Sequence, residues 1–401
     1  MPEKNLHIIT SSFPFGKAEQ FFEAEVLELS RNFDRIILYP LNLPGEQRVL
    51  PANVSVNTVL ATSSRRVSKS YYLKNIPIVL SILSGEFFHT KKKKALLADL
   101  RDYANSVLQS KLLSEVFIKQ AVTPGQNYFY SFWMNDGALL LSLLKRRKSI
   151  PDFVFRVNGF DLFDDRTKKG YMPFRYFNFS QAKKVIVLSE VGFNYLAEKK
   201  IFPEKLYLSY YGIYDQGLNP FDEKGIFTIV SCSNMIPLKR IDKIVRALQH
   251  VSFPVKWFHF GDGVLMSEIK AMAEKLPANI HCELRGSRPN SEVIGLYKEQ
   301  SINLFMHMSD TEGLGLAIIE AQSFGIPALA VAAGGVVNVV NERTGLLIDH
   351  HTTPQETAAL ITQFAGSEKN APAYRRKVKE HWDEKFNAKK NYFALFEKIT
   401  G

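Results

Sequence analysis

The sequence is poor in the residues that build disulfide frameworks and membrane spans. It has only two cysteines in 401 residues, Cys232 and Cys282. Two thiols cannot form a disulfide framework or a four-cysteine zinc site, so we expect both to be reduced, in a cytosolic protein. No apolar run reaches the roughly 18 residues of a membrane span. The opening MPEKNLHIITSSFPF lacks a basic start and a long apolar stretch, so we also expect no signal peptide.

Two motifs of phosphate chemistry are also missing. No Asp-x-Asp pair is present, although such a pair often holds a divalent metal on a diphosphate. The absence of a G-x-x-x-x-G-K-[ST] loop argues against a P-loop ATPase. We therefore expect a protein that needs neither a metal nor a cofactor.

Acidic residues are scarce in the first half of the chain only. Residues 1–205 contain 30 Lys and Arg against 19 Asp and Glu, whereas residues 206–401 contain 21 of each. A basic surface favours anionic partners such as phospholipid headgroups, a lipid diphosphate or nucleic acid, or it is simply a solvated face. Because the charge lies on one half and no nucleic-acid motif accompanies it, we expect no nucleic-acid partner.

One basic stretch contains interleaved aromatic residues. Arg65, Arg66, Lys69 and Lys74 surround Tyr71 and Tyr72, and the apolar run Ile76–Leu83 follows. This pattern fits a segment at an anionic bilayer surface, and it fits an apolar core helix with basic ends slightly better. The wider region, residues 61–120, has a less regular pattern and is strongly basic.

Apolar runs predict two sets of buried strands. The predicted strands are Leu6–Thr10, Arg35–Tyr39, Asn127–Phe132, Phe153–Val157 and Val185–Leu188 in the first half, and IFTIVS, VKWFHF, NIHCEL, INLFMH and PALAVA in the second. Helical patterns alternate with the strands of the second half, which indicates a parallel sheet covered on both faces. Ligands of such sheets bind beyond the carboxyl ends of the strands.

The most informative stretch is SDTEGLGLAIIEAQSFGIPALAVAAGG, residues 309–335. Glu312 precedes two glycines that open a predicted helix, and Glu320 lies eight residues further on. A helix N-terminus offers free N–H groups to an anion, and the glycines let a ligand approach the backbone. Two carboxylates about 10 Å apart along the helix axis would flank that anion and bind hydroxyls. A nucleotide diphosphate sugar has this pattern of groups. Packing glycines, a capping Glu and a solvated Glu are the alternative.

This stretch resembles the E-x-x-x-x-x-x-x-E signature of the family 4 retaining glycosyltransferases, which have the GT-B fold. The resemblance implies that Glu312 contacts the donor sugar and that Glu320 holds the ribose. SCSNMIPLKRIDKIVRAL resembles the family segment whose lysine, here Lys239, binds the donor diphosphate. ELRGSRPNSEVIGLY resembles the base-contacting loop. Other donor-binding residues implied by the resemblance are Gly286, Ser287, Arg288, Gly313, Leu314, Gly315 and Leu316.

The first half is similar to the family at two places. FRVNGFDLFDD resembles the R-x-H-G-x-D segment of the acceptor domain, which implies acceptor-side roles for Arg156 and Asp161. TSSFPFGKAEQFFEAEV resembles the first strand, loop and helix, where Gly16 would approach the donor phosphates.

Two positions depart from the family pattern. Asn234 stands where many members have Arg, and Asn158 stands where many have His. Asn can still donate a hydrogen bond to an oxyanion, but a weaker one than Arg. We expect both to lie near the reacting centre, with Lys239 and the helix N-terminus providing most of the neutralisation of the leaving group.

The sequence thus predicts an α/β protein of GT-B fold, with two Rossmann-like doubly wound domains facing a central cleft and a C-terminal helix that crosses back to the first. We expect an acceptor domain over residues 1–209 with a crossover helix at about 374–401, a linker over 210–225, and a donor domain over 226–373.

The predicted function is metal-independent retaining transfer of a hexose or N-acetylhexosamine from a UDP- or GDP-sugar to a glycan or lipid-linked acceptor, in cell-surface polysaccharide or glycoconjugate assembly. The predicted location is the cytoplasm, with peripheral contact to the inner face of the membrane. A nucleotide-sugar epimerase of the same fold and a non-catalytic nucleotide-sugar or nucleic-acid binding protein remain alternatives.

Overall fold

The chain forms two compact units, each built on one parallel sheet. The computed structural model describes residues 2–16, 18–134, 136–167 and 170–401. Unit 1 consists of Met1–Gly212 and Ala388–Gly401, and unit 2 of Ile213–Asn387. Unit 1 contains a seven-stranded sheet and unit 2 a six-stranded sheet.

The sheet of unit 1 has the strand order β3-β2-β1-β4-β5-β6-β7, and every neighbouring pair is parallel. The strands are β1 Lys4–Thr10, β2 Arg35–Pro40, β3 Val54–Val56, β4 Gln126–Ser131, β5 Phe153–Val157, β6 Lys184–Val187 and β7 Leu206–Leu208. The central strands are apolar on both faces because helices cover both sides. Leu6, Ile8, Phe155 and Val185, for example, are completely buried.

The described helices of unit 1 lie between these strands. They are α1 Glu23–Ser30, α2 Val59–Thr62, α3 Lys69–His89, α4 Lys93–Ala98, α5 Leu100–Ala121, α6 Asp136–Arg146, α7 Gly159–Leu162, α8 Arg175–Gln181 and α9 Glu190–Glu198. Residues 61–120, where the sequence pattern is less regular, are largely helical because they contain α3 and α5. Helix α3 agrees with the interpretation of residues 65–83 as a helix with basic ends, and it buries Val79, Ile82 and Leu83. The Ser68 hydroxyl caps α3 by accepting a hydrogen bond from the Tyr71 N–H.

The sheet of unit 2 has the strand order β10-β9-β8-β11-β12-β13 and is also parallel. Its strands are β8 Phe227–Cys232, β9 Val255–Phe260, β10 Ile280–Leu284, β11 Leu304–His307, β12 Ala328–Val331 and β13 Gly345–Ile348. Its helices are α10 Ile241–Leu248, α11 Met266–Ala273, α12 Asn290–Glu299, α13 Leu316–Ser323, α14 Pro354–Ala365 and α15 Pro372–Lys385. Every strand predicted from an apolar run is present, and the two parallel sheets confirm the predicted fold class.

The C-terminal segment is divided between the units. The single helix expected at about 374–401 is two helices, α15 in unit 2 and α16 Ala388–Thr400 in unit 1. In unit 1, α16 packs on α1, and the Tyr392 hydroxyl accepts a hydrogen bond of 3.0 Å from the Gly212 N–H. The last helix therefore returns to the unit in which the chain begins.

The expected linker is mostly part of unit 2. Asn219, in the middle of residues 210–225, is only 4% exposed. Its side chain bonds the carbonyl oxygens of Tyr297 and Gln300 and accepts a hydrogen bond from the Ile302 N–H. These bonds fix the segment to unit 2, and the boundary between the units falls at Gly212–Ile213. Among the described residues, no helix combines the length and apolarity needed to cross a membrane.

Candidate functional site

The topology of unit 2 brings two loops together. The strand order reverses where β8 lies beside β11, and open parallel sheets bind ligands at such a switch point, beyond the carboxyl ends of the strands. The loop after β8 contains Lys239, and the loop after β11 contains Glu312. Residues far apart in sequence therefore meet at one edge of the sheet.

Lys239 and Glu312 form an ion pair at this edge. The Lys239 Nζ lies 2.6 Å from the Glu312 Oε2. His307, the last residue of β11, places its Nε2 at 3.2 Å from the same oxygen. Both side chains of the ion pair remain about one fifth exposed, 20% for Lys239 and 19% for Glu312, so an incoming ligand can reach them.

The electrostatics keep Glu312 ionised. Burial alone would raise the pKa of its carboxyl, but the hydrogen bond with His307 and the charge of Lys239 lower that pKa to about 2. Glu312 is thus a carboxylate at any physiological pH and accepts hydrogen bonds only. Such a group can bind sugar hydroxyls but cannot serve as a general acid.

Two glycines outside the motif allow the Glu312 loop to pack closely. A Cβ on Gly334 would lie 2.1 Å from the Glu312 carbonyl oxygen, and a Cβ on Gly335 would lie 2.0 Å from the Gly313 carbonyl oxygen. The Gly335 N–H also donates to the Glu312 carbonyl at 3.3 Å. Only glycine fits at 334 and 335, so these residues set the position of Glu312.

The residues after Glu312 form a turn into α13. Gly315 is the N-cap residue of α13 and has φ +87°, a conformation that favours glycine. Leu314 is buried, while Gly313 and Leu316 are partly exposed. The helix begins at Leu316, so the predicted start at the glycines is about one half-turn too early. The expected donor-binding residues Gly313–Leu316 thus lie directly beside the ion pair in sequence and structure.

Glu320 lies one turn into α13 and has a different environment. Its Oε1 accepts a hydrogen bond of 2.7 Å from the Asn290 Nδ2 at the start of α12. Burial raises the pKa of Glu320, and the Asn290 hydrogen bond lowers it in part. The two acids of the motif are therefore different groups, an ion-paired carboxylate and a half-buried carboxyl with one amide partner.

The remaining donor-side residues lie on neighbouring loops. Gly286 has φ +69°, and its carbonyl accepts a hydrogen bond of 2.9 Å from the Gly261 N–H, which joins the ends of β9 and β10. Ser287 and Arg288 follow and are exposed. Asn234 is exposed in the loop after β8, and its carbonyl accepts from the Ile236 N–H.

In unit 1, the structure gives Arg156 no surface for an acceptor. This side chain is completely buried, and its Nη2 lies 2.7 Å from the Glu25 Oε2. The Nε donates to the Tyr130 hydroxyl at 3.0 Å and Nη1 to the Ser209 carbonyl at 3.0 Å. The expected acceptor-side role of Arg156 is therefore not supported, and its contacts are those of a core ion pair.

Asp161 and Asn158 form one capping arrangement at α7. The Asp161 carboxylate accepts from the Asn158 N–H at 2.5 Å and from the Met134 N–H at 2.7 Å. The Asn158 Oδ1 accepts a hydrogen bond of 2.6 Å from the Tyr211 hydroxyl. Burial raises the pKa of Asp161 to about 7, against the effect of these backbone hydrogen bonds. Asp161 is thus the one expected site residue of unit 1 that titrates near neutral pH.

The Gly16 loop is held by its own hydrogen bonds. Gly16 has φ +66°, and a Cβ there would lie 2.5 Å from the Pro44 carbonyl oxygen. Its N–H donates to the Glu46 carbonyl at 3.2 Å, and its carbonyl accepts from the Arg48 Nη2 at 2.7 Å. Gly16 is therefore required by the turn, and its N–H already has a partner.

Glu19 is a residue of this region that sequence reasoning missed. Its carboxylate accepts hydrogen bonds from the N–H groups of Ser11, Ser12 and Phe13 and from the Trp133 Nε1. It ties the loop after β1 to the loop after β4 at the switch point of the first sheet. The one available signal was an acidic residue in a loop otherwise rich in Ser, Phe and Pro. Within the described ranges, no group of three or more His, Cys, Asp or Glu side chains is placed to hold a metal ion.

An open parallel sheet with a glycine-rich loop at its switch point is typical of nucleotide-binding units. Residues 219–381 match the family model described as glycosyl transferases group 1. This match confirms, for residues 219–381, the resemblance to glycosyltransferases at the level of group 1.

Curated relatives match over part of their length. The chain is 25% identical to the uncharacterized glycosyltransferase MJ1178 of Methanocaldococcus jannaschii over 57% of this chain and 62% of that protein. It is 34% identical to the D-inositol 3-phosphate glycosyltransferase of Corynebacterium glutamicum over 23% of this chain and 22% of that protein. The matched stretch is thus less than two thirds of either relative.

Solved structures match over the full length. The apo form of the lipopolysaccharide outer core galactosyltransferase WaaB has a TM-score of 0.68 at 12% identity, with 98% of this chain and 100% of that chain covered. Anabaena HepE in complex with UDP-glucose has a TM-score of 0.65 at 14% identity, with 99% of both chains covered. These similarities show the fold, and the chain has the GT-B fold that the sequence predicts.

Proposed function

We propose that the protein is a retaining glycosyltransferase that moves a hexose or N-acetylhexosamine from a UDP- or GDP-sugar to a hydroxyl of a glycan or lipid-linked acceptor. The observation that carries the proposal is the Lys239–Glu312 pair beside the Gly313–Gly315 turn. It combines a cation for a diphosphate, a permanent carboxylate for sugar hydroxyls and backbone that a ligand can approach.

In the proposed reaction, the bond between the anomeric carbon and the diphosphate oxygen breaks as the bond to the acceptor oxygen forms. The proton of the acceptor hydroxyl passes to the departing diphosphate. Lys239 neutralises the charge that develops on this leaving group, so the transfer needs no metal and no cofactor. Glu312 orients the donor sugar, and Glu320 accepts hydrogen bonds from the ribose.

We assign the donor to unit 2 and the acceptor to unit 1. UDP-glucose is bound by the HepE protein of similar fold, and several relatives have names that specify UDP-N-acetylglucosamine or GDP-mannose. These names support a nucleotide-sugar donor of this type. Two neighbours of similar fold, a lipopolysaccharide outer core galactosyltransferase and a glycosyltransferase involved in lipopolysaccharide biosynthesis, support a role in cell-surface glycan assembly.

The experiment that tests the proposal is a donor screen with two readouts. UDP- and GDP-sugars are each added to the purified protein, and the melting temperature and the release of nucleotide diphosphate are measured. A correct donor raises the melting temperature because it binds the folded state only. It also releases UDP or GDP slowly in the absence of acceptor. Failure of every nucleotide sugar in both readouts would contradict the proposal.

The outer face of α3 supports peripheral contact with an anionic membrane at the cytoplasmic surface. Leu73 and Leu80, seven residues apart and thus on one helix face, are 67% and 62% exposed, and Phe88 is 77% exposed. Lys69 is exposed on the same face, and Lys91–Lys94 follow the helix. Exposed apolar side chains beside lysines are the pattern of a helix that lies on anionic lipid.

Vesicle flotation tests this surface. We expect the wild type to float with vesicles that contain phosphatidylglycerol at low salt, and Leu73→Ser with Leu80→Ser to float several-fold less. The matched control replaces Val49 and Val264 by Ser, two exposed apolar residues elsewhere in the chain. Equal flotation of both double variants would exclude α3 as the contact.

A further inference from the structure

Apart from the candidate site of unit 2, a cavity of about 620 Å³ lies entirely within unit 1. Its wall is formed by the end of α3, the turn that leads to α4, residues 170–176 and the end of α9. None of its lining residues belongs to the expected donor or acceptor site. The volume is that of a small-molecule pocket, which runs from about 300 to 1,000 Å³.

Cations outnumber anions on the cavity wall. Among the described residues, the basic lining residues are Lys91, Lys92, Arg175, Lys199 and Lys200, and the acidic ones are Glu86, Asp164 and Glu198. A cavity with this imbalance attracts an anionic ligand.

Asp164, one of the acidic residues of the wall, forms ion pairs with two cations. The Asp164 Oδ1 lies 2.7 Å from the Arg175 Nη1, and its Oδ2 lies 3.1 Å from the Lys199 Nζ. Three charges in this cluster therefore leave one net positive charge. Arg175 lines the cavity, and its buried Nε has no hydrogen-bond partner among the described residues.

The carboxylate of a second acidic residue, Glu86, accepts hydrogen bonds from buried groups of the protein. It is buried and accepts hydrogen bonds from the Tyr171 hydroxyl at 2.7 Å and from the Phe177 N–H at 2.8 Å. Burial raises the pKa of Glu86. Glu86 therefore opposes the lysines of the wall only weakly.

Three lysines of the wall remain without a carboxylate. Within the described ranges, no acidic side chain lies within ion-pair distance of Lys91, Lys92 or Lys200, in contrast to Lys199. The Lys92 Nζ would lie 3.8 Å from a Cβ on Gly170, which places the ammonium group at the wall. Tyr176 adds an aromatic surface, stacked on the His89 ring at a centroid distance of 3.4 Å.

We propose that this cavity binds a phosphate monoester. A phosphate monoester has a charge of about −1.5 to −2 near neutral pH. It therefore neutralises several unpaired ammonium groups better than a ligand with a single carboxylate would. The space beyond the lysines and the Tyr176 ring accommodates the group that bears the phosphate. Binding of phosphate by the cavity does not depend on the proposed function.

The test measures phosphate binding directly, without turnover. Isothermal titration at low salt uses inorganic phosphate, glucose 1-phosphate and neutral methyl glucoside as probes. We expect saturable binding of the two phosphates and none of methyl glucoside. Lys92→Gln with Lys200→Gln should weaken phosphate binding at least fivefold. Lys91→Gln alone should weaken it by a smaller factor, and it serves as the second variant if the double variant does not fold.

The matched control is Lys94→Gln with Lys148→Gln. Lys94 belongs to the same lysine run as Lys92 but does not line the cavity. Lys148 has φ +57°, nearly the φ of +56° found at Lys200, so these two positions have matched backbone conformations. Both double variants remove two positive charges. Equal weakening by the two double variants, or no saturable phosphate binding by the wild type, would overturn the proposal.

A further experiment distinguishes a soluble phosphorylated glycan from a phospholipid as the source of the phosphate. Glucose 1-phosphate is compared with phosphatidic acid in neutral phosphatidylcholine vesicles, for the wild type and both double variants. A cavity-dependent preference for the sugar phosphate assigns a soluble phosphorylated glycan, and the opposite preference assigns a lipid phosphate. Release of UDP or GDP from the donor is measured in parallel. If the protein releases UDP or GDP but does not bind phosphate, only the cavity inference is wrong. If it binds phosphate but releases no UDP or GDP, only the proposed function is wrong.

Discussion

Lys239 and Glu312 are 73 residues apart in the chain, and the Lys239 Nζ lies 2.6 Å from the Glu312 Oε2. The contact exists because β8 and β11 are neighbours in the sheet and both loops leave from the same edge. A cation paired in this way is held ready for a diphosphate, which offers it more negative charge than one carboxylate does.

Replacement of Lys239 tests its assignment to the leaving group. We expect Lys239→Ala to reduce turnover at saturating donor at least about tenfold, or ~1.4 kcal/mol of transition-state stabilisation. Lys270→Ala, which removes an exposed lysine from α11, is the control and should leave the rate unchanged. A wild-type rate for Lys239→Ala under donor saturation would exclude Lys239 from the reaction.

The ion pair should make the stability of the protein depend on pH. The pKa of Glu312 is about 2 in the folded protein and close to 4.5 in the unfolded chain. The stabilisation is therefore present above pH 4.5 and is lost as the pH falls from there towards 2. We expect Glu312→Gln to lower the free energy of unfolding by about 1–3 kcal/mol at pH 7 and by much less at pH 3.

Urea unfolding at pH 7, 5, 4 and 3 measures this difference. Glu384→Gln is the control, because Glu384 pairs with Arg343 at an exposed position, where an ion pair contributes little. A Glu312→Gln deficit that stays constant from pH 7 to pH 3 would contradict the assigned ion pair.

Gly335 should be intolerant of a side chain. A Cβ there meets the Gly313 carbonyl at 2.0 Å, so Gly335→Ala must displace the Glu312 loop at a cost of about 1–3 kcal/mol. We expect reduced thermal stability and weaker donor binding. In Gly295→Ala, within α12, no atom lies within 4 Å of the new Cβ, so this change should be neutral or stabilising. Equal donor affinities in the two variants would show that the loop position does not matter.

Glu320 should distinguish nucleotides by their ribose hydroxyls. We expect Glu320→Gln to weaken binding of the preferred nucleotide diphosphate about tenfold, since a carboxyl group with two oxygens is replaced by an amide with one. The same substitution should have little effect on the 2′,3′-dideoxy nucleotide, which lacks the partner hydroxyls. Calorimetric titration of both nucleotides into both proteins gives the comparison, and an equal loss for the two would exclude ribose recognition by Glu320.

Arg156 should matter for folding and not for acceptor binding. Its partner Glu25 is also fully buried, so Arg156→Met leaves a buried carboxylate without a counter-charge and should cost about 3–5 kcal/mol. The double variant with Glu25→Leu should recover much of this loss. Urea unfolding measures both. An acceptor KM that rises in Arg156→Met with no loss of stability would restore the acceptor role.

The long apolar strands could be read from the sequence because strands buried on both faces need near-continuous Val, Ile, Leu and Phe. The missed strands β3, β7 and β13 have three or four residues each and lie at sheet edges. So short a run carries too little pattern to be recognised. The extent of helix α3 was hard to predict because Pro77 lies inside it and its apolar residues surround much of its circumference.

The site was predicted in part. The sequence pattern placed Glu312 and the Gly313–Gly315 turn after a predicted strand, and the family resemblance implied that Lys239 lies beside them. His307 could not be predicted, because it ends an apolar strand and looks like a core residue. Arg156 shows the reverse problem. Its motif resembled an acceptor-side segment, but only the packing around Glu25 reveals that its side chain lies in the core.

The division of the chain at residues 212–213 and 387–388 has a practical consequence. The Ile213 N–H donates to the Phe386 carbonyl at 2.8 Å within unit 2, and Gly212 and Ala388 approach each other closely within unit 1. Entry to and exit from unit 2 thus occur side by side. Residues 213–387 can be exchanged for the corresponding module of a relative as a single cassette, with both splice junctions at one place and α16 left on its own unit.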